Sequence, residues 1–315
     1  MYIGIDIGGT KCAVTRAEVD GNGKINILSK VRFNTEDAKT TLSRIFKEVG
    51  EMMPADAIGI SCGGPLDENS GVIISPPNLP GWENVPITDM LKARFSVPVK
   101  ILNDANACAL AEWRFGAGRG TRNMVFLTFG TGLGAGLILD GKLYSGTNGN
   151  AGEVGHVRLA PDGPLGFGKH GSFEGFCSGG GISRLAEIEK AKAKEEDRVI
   201  FEAGTDAKTL SELASRGDKD ALSVFHKSAE KLGFGLSVII DILNPERIVI
   251  GSVFKRSEAL FRPVMEEVLR KEALGVSLDV CKVVPAELDD NLGDFAAIAA
   301  AEYALRKQKN GEENI

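Results

Sequence analysis

IGIDIGGTK at residues 3–11, LTFGTGLGAG at residues 127–136 and RIVIGSVF at residues 247–254 decide how this chain folds. In each of the three segments, a short apolar run breaks into glycines and small hydroxyl residues. A backbone built from such residues can turn tightly and can approach a phosphate group without obstruction by side chains. The three segments therefore predict a protein that handles phosphate groups.

The size and composition of the chain narrow the class of protein. Its 315 residues are enough for two domains of ordinary size, and its 43% hydrophobic and 25% charged residues are typical of a globular protein. The net charge of −6 argues against nucleic acid as a partner. The sequence has no apolar stretch long enough to span a bilayer and no recognisable signal peptide, so we expect no membrane partner and a cytoplasmic location.

Apolar periodicity predicts an alternation of strands and helices. Strands are expected at residues 2–7, 10–17, 57–61, 99–102, 124–129, 134–139 and 247–250. Helices are expected at residues 37–53, 105–113, 183–203, 210–214, 218–242, 257–272 and 294–306. Residues 144–181 are rich in glycine and longer than an ordinary connection, which indicates a functional loop. Residues 311–315 are expected to fray.

The two halves of the sequence resemble each other. When Asp6-Ile-Gly-Gly-Thr10 is placed on Thr128-Phe-Gly-Thr-Gly132, the offset is 122 residues, close to the length of one domain. We therefore predict an α/β protein in which a β-sheet with flanking helices is duplicated in two lobes with a cleft between them. The predicted small N-terminal lobe covers residues 1–115 and includes the helix at 294–306, and the predicted large lobe covers residues 116–293.

Four motifs follow one another in the chain: Asp6-Ile-Gly-Gly-Thr-Lys11, Asn103-Asp-Ala-Asn106, Phe129-Gly-Thr-Gly132 and Gly152-Glu-Val-Gly-His156. This ordered set closely resembles the ROK family (repressors, open reading frames and kinases) from about residue 2 to residue 305. The resemblance implies a two-lobed, actin-like or ribonuclease H-like ATPase fold of the kind found in sugar kinases. The chain has no G-x-x-x-x-G-K-[ST] motif, in agreement with phosphates held by hairpin turns rather than by a P-loop.

The resemblance implies roles for two aspartates. Asp104 corresponds to the family's general base on the sugar hydroxyl, and its place at a strand end before a helix suits an ionised carboxylate. A plain helix cap is the alternative for Asp104. Asp6 corresponds to the family's metal-facing aspartate and is expected to bind Mg²⁺ through water. A turn-forming aspartate is the alternative for Asp6.

The resemblance also implies that the nucleotide is ATP and that glycine turns hold it. The expected phosphate-binding and adenosine-binding positions are Gly8, Gly9, Thr10 and Lys11 in the first turn, Gly130, Thr131 and Gly132 in the second, and Gly251 after a later strand. Backbone N–H groups and hydroxyls of such turns suit the β- and γ-phosphates. Tight turns alone would also explain these glycines. The usual second glycine after Gly251 is Ser252 here.

The family's sugar-binding positions carry amides, carboxylates and an imidazole in this chain. The expected set is Gly64, Asn78, Asn103, Glu153, His156 and Glu174, together with the base Asp104. Such groups suit a pyranose, whose hydroxyls need both donors and acceptors. Glu153 and Glu174 would alternatively be solvated acids of a loop.

One segment departs from the family. ROK kinases typically follow the histidine with a C-x-C-G-x-x-G-C segment that binds structural zinc, whereas residues 165–172 here read Leu-Gly-Phe-Gly-Lys-His-Gly-Ser. All three cysteines are replaced, so we expect no zinc site. Cys177 is out of register, and His170 is expected at the surface. We expect apolar packing of Leu165 and Phe167 to hold the loop instead.

The sequence thus predicts an ATP-dependent hexose kinase, with the 6-hydroxyl of glucose as the first choice of acceptor. The alternatives within the family are kinases of N-acetylhexosamines, fructose or β-glucosides. A non-catalytic sugar sensor and a sugar-responsive transcriptional repressor are the alternatives from other classes. A repressor should carry a helix-turn-helix before the sugar domain, and this chain enters a strand at once. The resemblance further implies a homodimer.

Overall fold

The computed structural model describes residues 1–21, 23–288 and 291–309. Asn22 of the first predicted turn and the predicted frayed end at residues 311–315 lie outside the described residues. The chain divides into two compact units. The first unit contains Met1–Gly120, Leu143–Ala151 and the described residues from Glu287 onward, and the second contains Thr121–Lys142 and Gly152–Ala286.

Short strands alternate with helices along the whole described chain. The strands are β1 (Tyr2–Ile7), β2 (Lys11–Val19), β3 (Ile25–Asn34), β4 (Ala57–Cys62), β5 (Leu66–Asp67), β6 (Val72–Ile73), β7 (Val99–Asn103), β8 (Met124–Leu127), β9 (Ala135–Leu139), β10 (Lys142–Tyr144), β11 (Leu165–Gly166), β12 (Lys169–His170), β13 (Arg247–Ile250) and β14 (Lys282–Pro285). The helices are α1 (Ala38–Met52), α2 (Ile87–Phe95), α3 (Asp104–Phe115), α4 (Phe173–Phe176), α5 (Gly179–Glu195), α6 (Ala207–Ser215), α7 (Lys219–Leu243), α8 (Ser252–Arg256), α9 (Glu258–Glu272), α10 (Gly275–Leu278) and α11 (Leu292–Lys309). Within the described part of the chain, every helix is too short or too polar to cross a bilayer.

Two five-stranded mixed sheets form the framework. The first has the order β3-β2-β1-β4-β7, and the second has the order β10-β9-β8-β13-β14. In the first sheet β2 runs antiparallel to β1. On the other side of β1, β4 pairs in parallel with β1, and β7 pairs in parallel with β4. In the second sheet β9 runs antiparallel to β8, while β13 and β14 continue it in parallel. The two sheets therefore share one topology, and the α/β class with the actin-like ATPase fold is confirmed.

The first sheet is covered by a helix that packs unusually close to it. A Cβ atom at Gly59 in β4 would lie 2.1 Å from the backbone oxygen of Ala297 and 2.2 Å from the nitrogen of Ala301, both in α11. A Cβ at Gly4 in β1 would lie 2.9 Å from the Cβ of Ala297. Small residues on both elements permit this approach, which explains the alanine-rich sequence of α11.

An aromatic cluster forms part of the core of the second unit. The ring of Phe261 in α9 lies with its centroid 5.3 Å from that of Phe129, 5.4 Å from that of Phe225 and 5.9 Å from that of Phe254. All four rings are buried. Phe129 lies two residues after the end of β8, so the cluster fixes the backbone at the start of the second glycine turn.

Some element ends differ from the predictions for identifiable local reasons. Helix α5 begins at Gly179 instead of residue 183 because the Ser178 hydroxyl accepts a hydrogen bond from the N–H of Gly181 and caps the helix there. Residues 145–178 contain only short elements, as expected of the predicted irregular stretch: β11, β12, α4 and a single 3₁₀ turn at Val154–His156.

Candidate active site

Asp104 lies where β7 ends and α3 begins. It is the first residue of α3 and is exposed, and its Oδ1 accepts a hydrogen bond of 2.8 Å from the N–H of Ala105. The N-cap of the helix is the preceding residue, Asn103, whose Oδ1 also accepts from Ala105 at 3.0 Å. The partial positive charge of the helix N-terminus favours the ionised form of Asp104. An exposed carboxylate in this position is suited to take up a proton.

A buried carboxylate that the sequence did not reveal holds the strand end before Asp104. Glu68 is 6% exposed, and its Oε1 accepts hydrogen bonds from the N–H of Asn103 at 2.9 Å and from the side-chain amide of Asn106 at 2.8 Å. Its Oε2 accepts from the hydroxyl of Ser145 at 3.0 Å. Glu68 therefore fixes two residues of the Asn103-Asp-Ala-Asn106 motif, one on each side of Asp104.

The carboxylate of Asp6 lies in a strongly acidic environment. Burial, followed by the negative charges of Asp294 and Asp104, raises the pKa of Asp6 to about 6, and Lys30 and Arg32 oppose this rise only in part. Asp294 lies in the first turn of α11 and is 4% exposed. Three aspartates from separate parts of the first unit thus influence one another, and a cation beside Asp6 would relieve their repulsion.

The groups around Asp6 suit an Mg²⁺ ion that is bound through water better than an ion bound only by protein side chains. Asp294 is already engaged, since it accepts hydrogen bonds from the hydroxyl of Thr15 at 2.8 Å and from the ammonium of Lys30. In the described ranges, no three His, Cys, Asp or Glu side chains converge as a metal site. Mg²⁺ commonly takes one or two carboxylates, with water and phosphate oxygens completing its octahedron. Asp6 can serve in that way.

The first glycine turn is held from both sides. The N–H of Gly8 donates to the carbonyl oxygen of Lys11 at 3.1 Å, and the hydroxyl of Thr35 donates to the carbonyl of Gly8 at 2.6 Å. Thr10 and Lys11 are exposed. A Cβ at Gly9 would lie 2.7 Å from the backbone oxygen of Asn78, so the turn packs directly on this predicted sugar-binding residue.

Gly64 and Asn103 also lie together. The side-chain nitrogen of Asn103 is 3.3 Å from the position that a Cβ at Gly64 would take. Gly64 follows β4 and Asn103 ends β7, and these two strands are parallel neighbours. Their carboxyl ends therefore meet at one edge of the sheet, where ligands of α/β proteins commonly bind.

The second glycine turn has the same form but other supports. The N–H of Gly130 donates to the carbonyl of Gly132 at 2.9 Å, and the N–H of Gly134 donates to the hydroxyl of Thr128 at 2.9 Å. The N–H of Gly179, the first residue of α5, donates to the carbonyl of Gly130 at 2.8 Å. Thr131 is exposed at the tip. The turn and the N-terminus of α5 are thus joined, which suits an anion.

Gly251 lies beside the same turn region. Its N–H donates to the carbonyl of Leu127 at 3.0 Å, and the N–H of Val253 donates to the carbonyl of Phe129 at 3.0 Å. Ser252, which stands where the family has a glycine, adopts a positive φ of 50°. The backbone here keeps a conformation that favours glycine, although the residue has changed.

The predicted sugar-binding residues of the second unit differ in their surroundings. Oε2 of Glu174 accepts a hydrogen bond of 3.0 Å from the N–H of Leu133, which places this carboxylate against the second glycine turn. Glu153 and His156 flank the 3₁₀ turn and are exposed. Gly155, between them, packs against Leu133 and Glu174. The structure therefore brings Glu174 and the 3₁₀ turn to one hairpin.

The expectation about the loop that replaces the zinc segment is wrong. Leu165 is 42% exposed and Phe167 is 78% exposed, so neither side chain holds the loop by burial. The ring centroids of Phe167 and His156 lie 6.0 Å apart in an edge-to-face arrangement. Backbone hydrogen bonds hold the loop instead: the N–H groups of Leu159 and Phe173 donate to Gly171 and Val157, each at 2.8 Å. His170 is exposed, as expected.

Comparisons with known proteins agree with this geometry. A family model described as "ROK family" matches residues 2–304. The glucokinase of Thermotoga maritima is 36% identical over 280 residues, which cover 85% of this chain and 86% of the glucokinase. The xylose repressor of Caldicellulosiruptor bescii is 34% identical over 247 residues, which cover 77% of this chain and 61% of the repressor. The structure of a ROK family glucokinase from Streptomyces griseus in complex with glucose and AMPPNP superposes with a TM-score of 0.73 at 32% identity, covering 96% of this chain and 99% of that one.

Proposed function

Because the chain belongs to the ROK family and is a sugar kinase, we propose that it transfers the γ-phosphate of ATP to the 6-hydroxyl of glucose. The relatives named glucokinase and the glucose complex of the Streptomyces griseus enzyme support this choice of sugar. The similarity to a xylose repressor supports a second candidate, a sugar-binding regulator without catalysis.

The observation that carries the proposal is the position of Asp104. It is an exposed carboxylate at the N-terminus of α3, and the strand end before it is fixed by the buried Glu68. In the proposed reaction Asp104 accepts the proton of the sugar hydroxyl. The hydroxyl oxygen then forms a bond to the γ-phosphorus, and the bond from that phosphorus to the bridging oxygen breaks, so that ADP leaves.

The remaining groups bind and orient the substrates in this proposal. Backbone N–H groups and hydroxyls of the two glycine turns, Gly8 to Lys11 and Gly130 to Gly132, would hold the phosphates, and Gly251 would contact the adenosine. Asp6 holds Mg²⁺ through water, and this ion, when bound, offsets the charge of the phosphates.

The sugar would be held by groups of several kinds. The carboxylates of Glu153 and Glu174 accept from sugar hydroxyls, the amides of Asn78 and Asn103 both donate and accept, and the backbone at Gly64 lies close to the ring. His156 contributes an imidazole. A site built to bond particular hydroxyls rejects sugars that leave its polar groups unpaired, so the same set also governs discrimination against N-acetylhexosamines, fructose and β-glucosides.

The proposal is tested by ADP release with Mg²⁺ and ATP across glucose, mannose, fructose, the N-acetylhexosamines and a β-glucoside. We expect turnover with glucose, and we expect Asp104→Asn to lower kcat by about 10²- to 10⁴-fold. The matched control is Asp140→Asn, because Asp140 is an exposed carboxylate with a φ of 51°, which asparagine also adopts. Full activity of Asp104→Asn would contradict the assigned base, and silence with every sugar would favour the regulator.

A further inference from the structure

A cavity of about 690 Å³ lies in the first unit among residues that the proposed kinase reaction does not use. It is lined by residues around β6, α2, the start of β7 and the last turns of α11. Its volume is within the range of about 300–1,000 Å³ that is usual for small-molecule sites. The cavity is therefore large enough for a ligand of its own.

Three ammonium groups line this cavity. They belong to Lys92 in α2, Lys100 in β7 and Lys307 in α11. Burial is the main cause that lowers the pKa of Lys100; the negative charge of Glu68 opposes it, and the positive charges of Lys307 and Lys92 add smaller contributions in the same direction as burial. Three separate elements thus bring like charges close enough to oppose one another, which is unfavourable unless an anion offsets them.

The acids of the lining leave these lysines without an ion pair among the described residues, although the charge of Glu68 acts on Lys100. The carboxylate of Glu68 is engaged by Asn103, Asn106 and Ser145, and only its backbone oxygen accepts from Lys100. Asp89, the other acid in the lining, is exposed in the first turn of α2. In the described part of the chain, none of the three lysines forms an ion pair with a carboxylate.

A buried hydroxyl in the lining has no partner. Thr88 is 5% exposed, and its Oγ1 forms no hydrogen bond with any described residue. Leaving such a group unpaired in the interior costs about 1–3 kcal/mol, so buried hydroxyls are usually bonded. Gly71 passes directly over it, since a Cβ there would lie 2.3 Å from this oxygen. The Thr88 hydroxyl is therefore closed off beneath Gly71, and Thr88 contributes to the wall of the cavity through its other atoms.

We infer that this cavity binds the phosphate group of a small phosphorylated molecule, with the ammonium groups of Lys92, Lys100 and Lys307 as its donors. A phosphate dianion presents oxygens to several ammonium groups at once, and charged hydrogen bonds of this kind are strong. Val97, Pro98 and Ala304 form an apolar wall in the same cavity, which suits the organic part of a phosphate ester. The site is distinct from the phosphate turns at residues 8–11 and 130–132.

The test is protection of lysines from acetylation, measured by mass spectrometry on the intact protein with inorganic phosphate as the probe and chloride at equal ionic strength as the reference. At a phosphate concentration of ten times Kd, the acetylation rates of Lys92 and Lys307 should fall about tenfold, because only the unliganded protein reacts. The exposed lysines Lys39 and Lys208 should keep their rates. Equal protection of all four lysines, or protection that does not saturate, would overturn the inference.

Two variants separate this cavity from the phosphate turns. Thr88→Val removes the closed-off hydroxyl at nearly constant volume, and we expect it to leave the phosphate Kd unchanged without loss of thermal stability. The double variant Lys92→Gln/Lys307→Gln should abolish the phosphate-induced rise in Tm, whereas Lys39→Gln/Lys208→Gln, with the same change of charge, should keep it. If the Tm rise persists in the first pair, phosphate binds elsewhere and the inference fails. Neither result depends on kinase activity.

Discussion

The two five-stranded sheets have one topology but carry different chemistry at the ends of their strands. In the first sheet, Asp6 lies on β1 and Asp104 follows β7. At the corresponding places of the second sheet, Thr128 follows β8 and Ala286 follows β14. The first sheet has therefore collected carboxylates, and the second presents hydroxyls and backbone N–H groups.

Phosphate binding and the binding of a proton or a magnesium ion place opposite requirements on the charge at the strand ends. A carboxylate near a phosphate oxygen would repel it, whereas a proton acceptor or a magnesium ligand must be negative. In the proposed reaction both sheets supply a phosphate-binding turn and only the first adds the carboxylates Asp6 and Asp104, so the turn of the second sheet holds phosphate without their repulsion. The acidic side chains that accept hydrogen bonds from the backbone also differ between the two units. Those of the first unit are buried, and those of the second are more exposed.

The largest effect is expected from removing a buried acid of the first unit. Glu112 is fully buried, and it accepts hydrogen bonds from the N–H groups of Ala117, Glu287 and Leu288 at 2.8–3.0 Å. Glu112→Ala should lower the free energy of unfolding by about 3–5 kcal/mol, because it removes a fully buried side chain and leaves three part-buried backbone donors without their acceptor. Urea denaturation followed by circular dichroism measures this.

The matched variant in the second unit is Glu246→Ala. Glu246 also accepts from two backbone N–H groups, those of Arg122 and Asn123, but it is exposed. Water can replace it, so a loss of only about 1 kcal/mol is expected. Equal losses for the two variants would contradict the contrast between buried and exposed acids.

A pH-dependent effect is expected at Asp6. Its pKa is about 6 in the folded protein and about 4 in an unfolded chain, so the folded state binds the proton more tightly and its stability falls as the pH rises from 4 to 6. Asp6→Asn removes this penalty and should raise the free energy of unfolding by about 2–3 kcal/mol at pH 7.5, but by less than about 1 kcal/mol at pH 4.5, where most folded molecules already carry the proton. Thermal denaturation at the two pH values decides, and an equal shift at both would refute the assignment.

A smaller effect is expected in catalysis from Glu68, which touches Asn103 and not the substrate. Glu68→Gln keeps the shape of the side chain but weakens its hold on the strand end before Asp104, and kcat should fall about 10-fold with the KM for sugar unchanged. The control is Glu83→Gln, at an exposed position of the same unit. A rise in KM at constant kcat would show that Glu68 does not position the base.

The smallest effect is expected at the position of the second sheet that corresponds to Asp6. Thr128→Val removes the oxygen that accepts from the N–H of Gly134, and it should cost about 1 kcal/mol of stability. The change should be independent of pH between 4.5 and 7.5, unlike the effect of Asp6→Asn. A pH-dependent loss would erase the distinction between the two strand ends.

Local sequence patterns predicted the strands that end in glycine turns. The apolar runs before Gly8 and Gly130 and the run at residues 247–250 define β1, β8 and β13, since both the run and its break lie within about ten residues. Helix α2 was not predicted, because it has nine residues and its N-cap is Pro86, without a side-chain cap. Strand β14 was also missed, because its apolar run is short and no glycine turn follows it.

The supports of the site were beyond sequence reasoning for a different reason. Glu68 contacts Asn103 across 35 residues, and Glu112 contacts Glu287 across 175 residues. A glutamate in such a sequence has the pattern of a solvated side chain, and nothing local marks its distant donors. The prediction for Phe167 was wrong for the opposite reason. An aromatic residue indicated a packed side chain, but the structure leaves it exposed.

The close fit of α11 against Gly4 and Gly59 has a consequence for the order of events during translation. The strands of the first sheet are complete at Asn103, but the helix that covers them starts at Leu292, and about 190 residues, or roughly 10 to 40 s of synthesis, separate the two. During that interval the glycine-lined face of β1 and β4 has no cover, and no larger side chain shields it. The nascent chain therefore presents a bare sheet to the cell until its last helix arrives, and chaperones that bind such surfaces would be needed most in this interval.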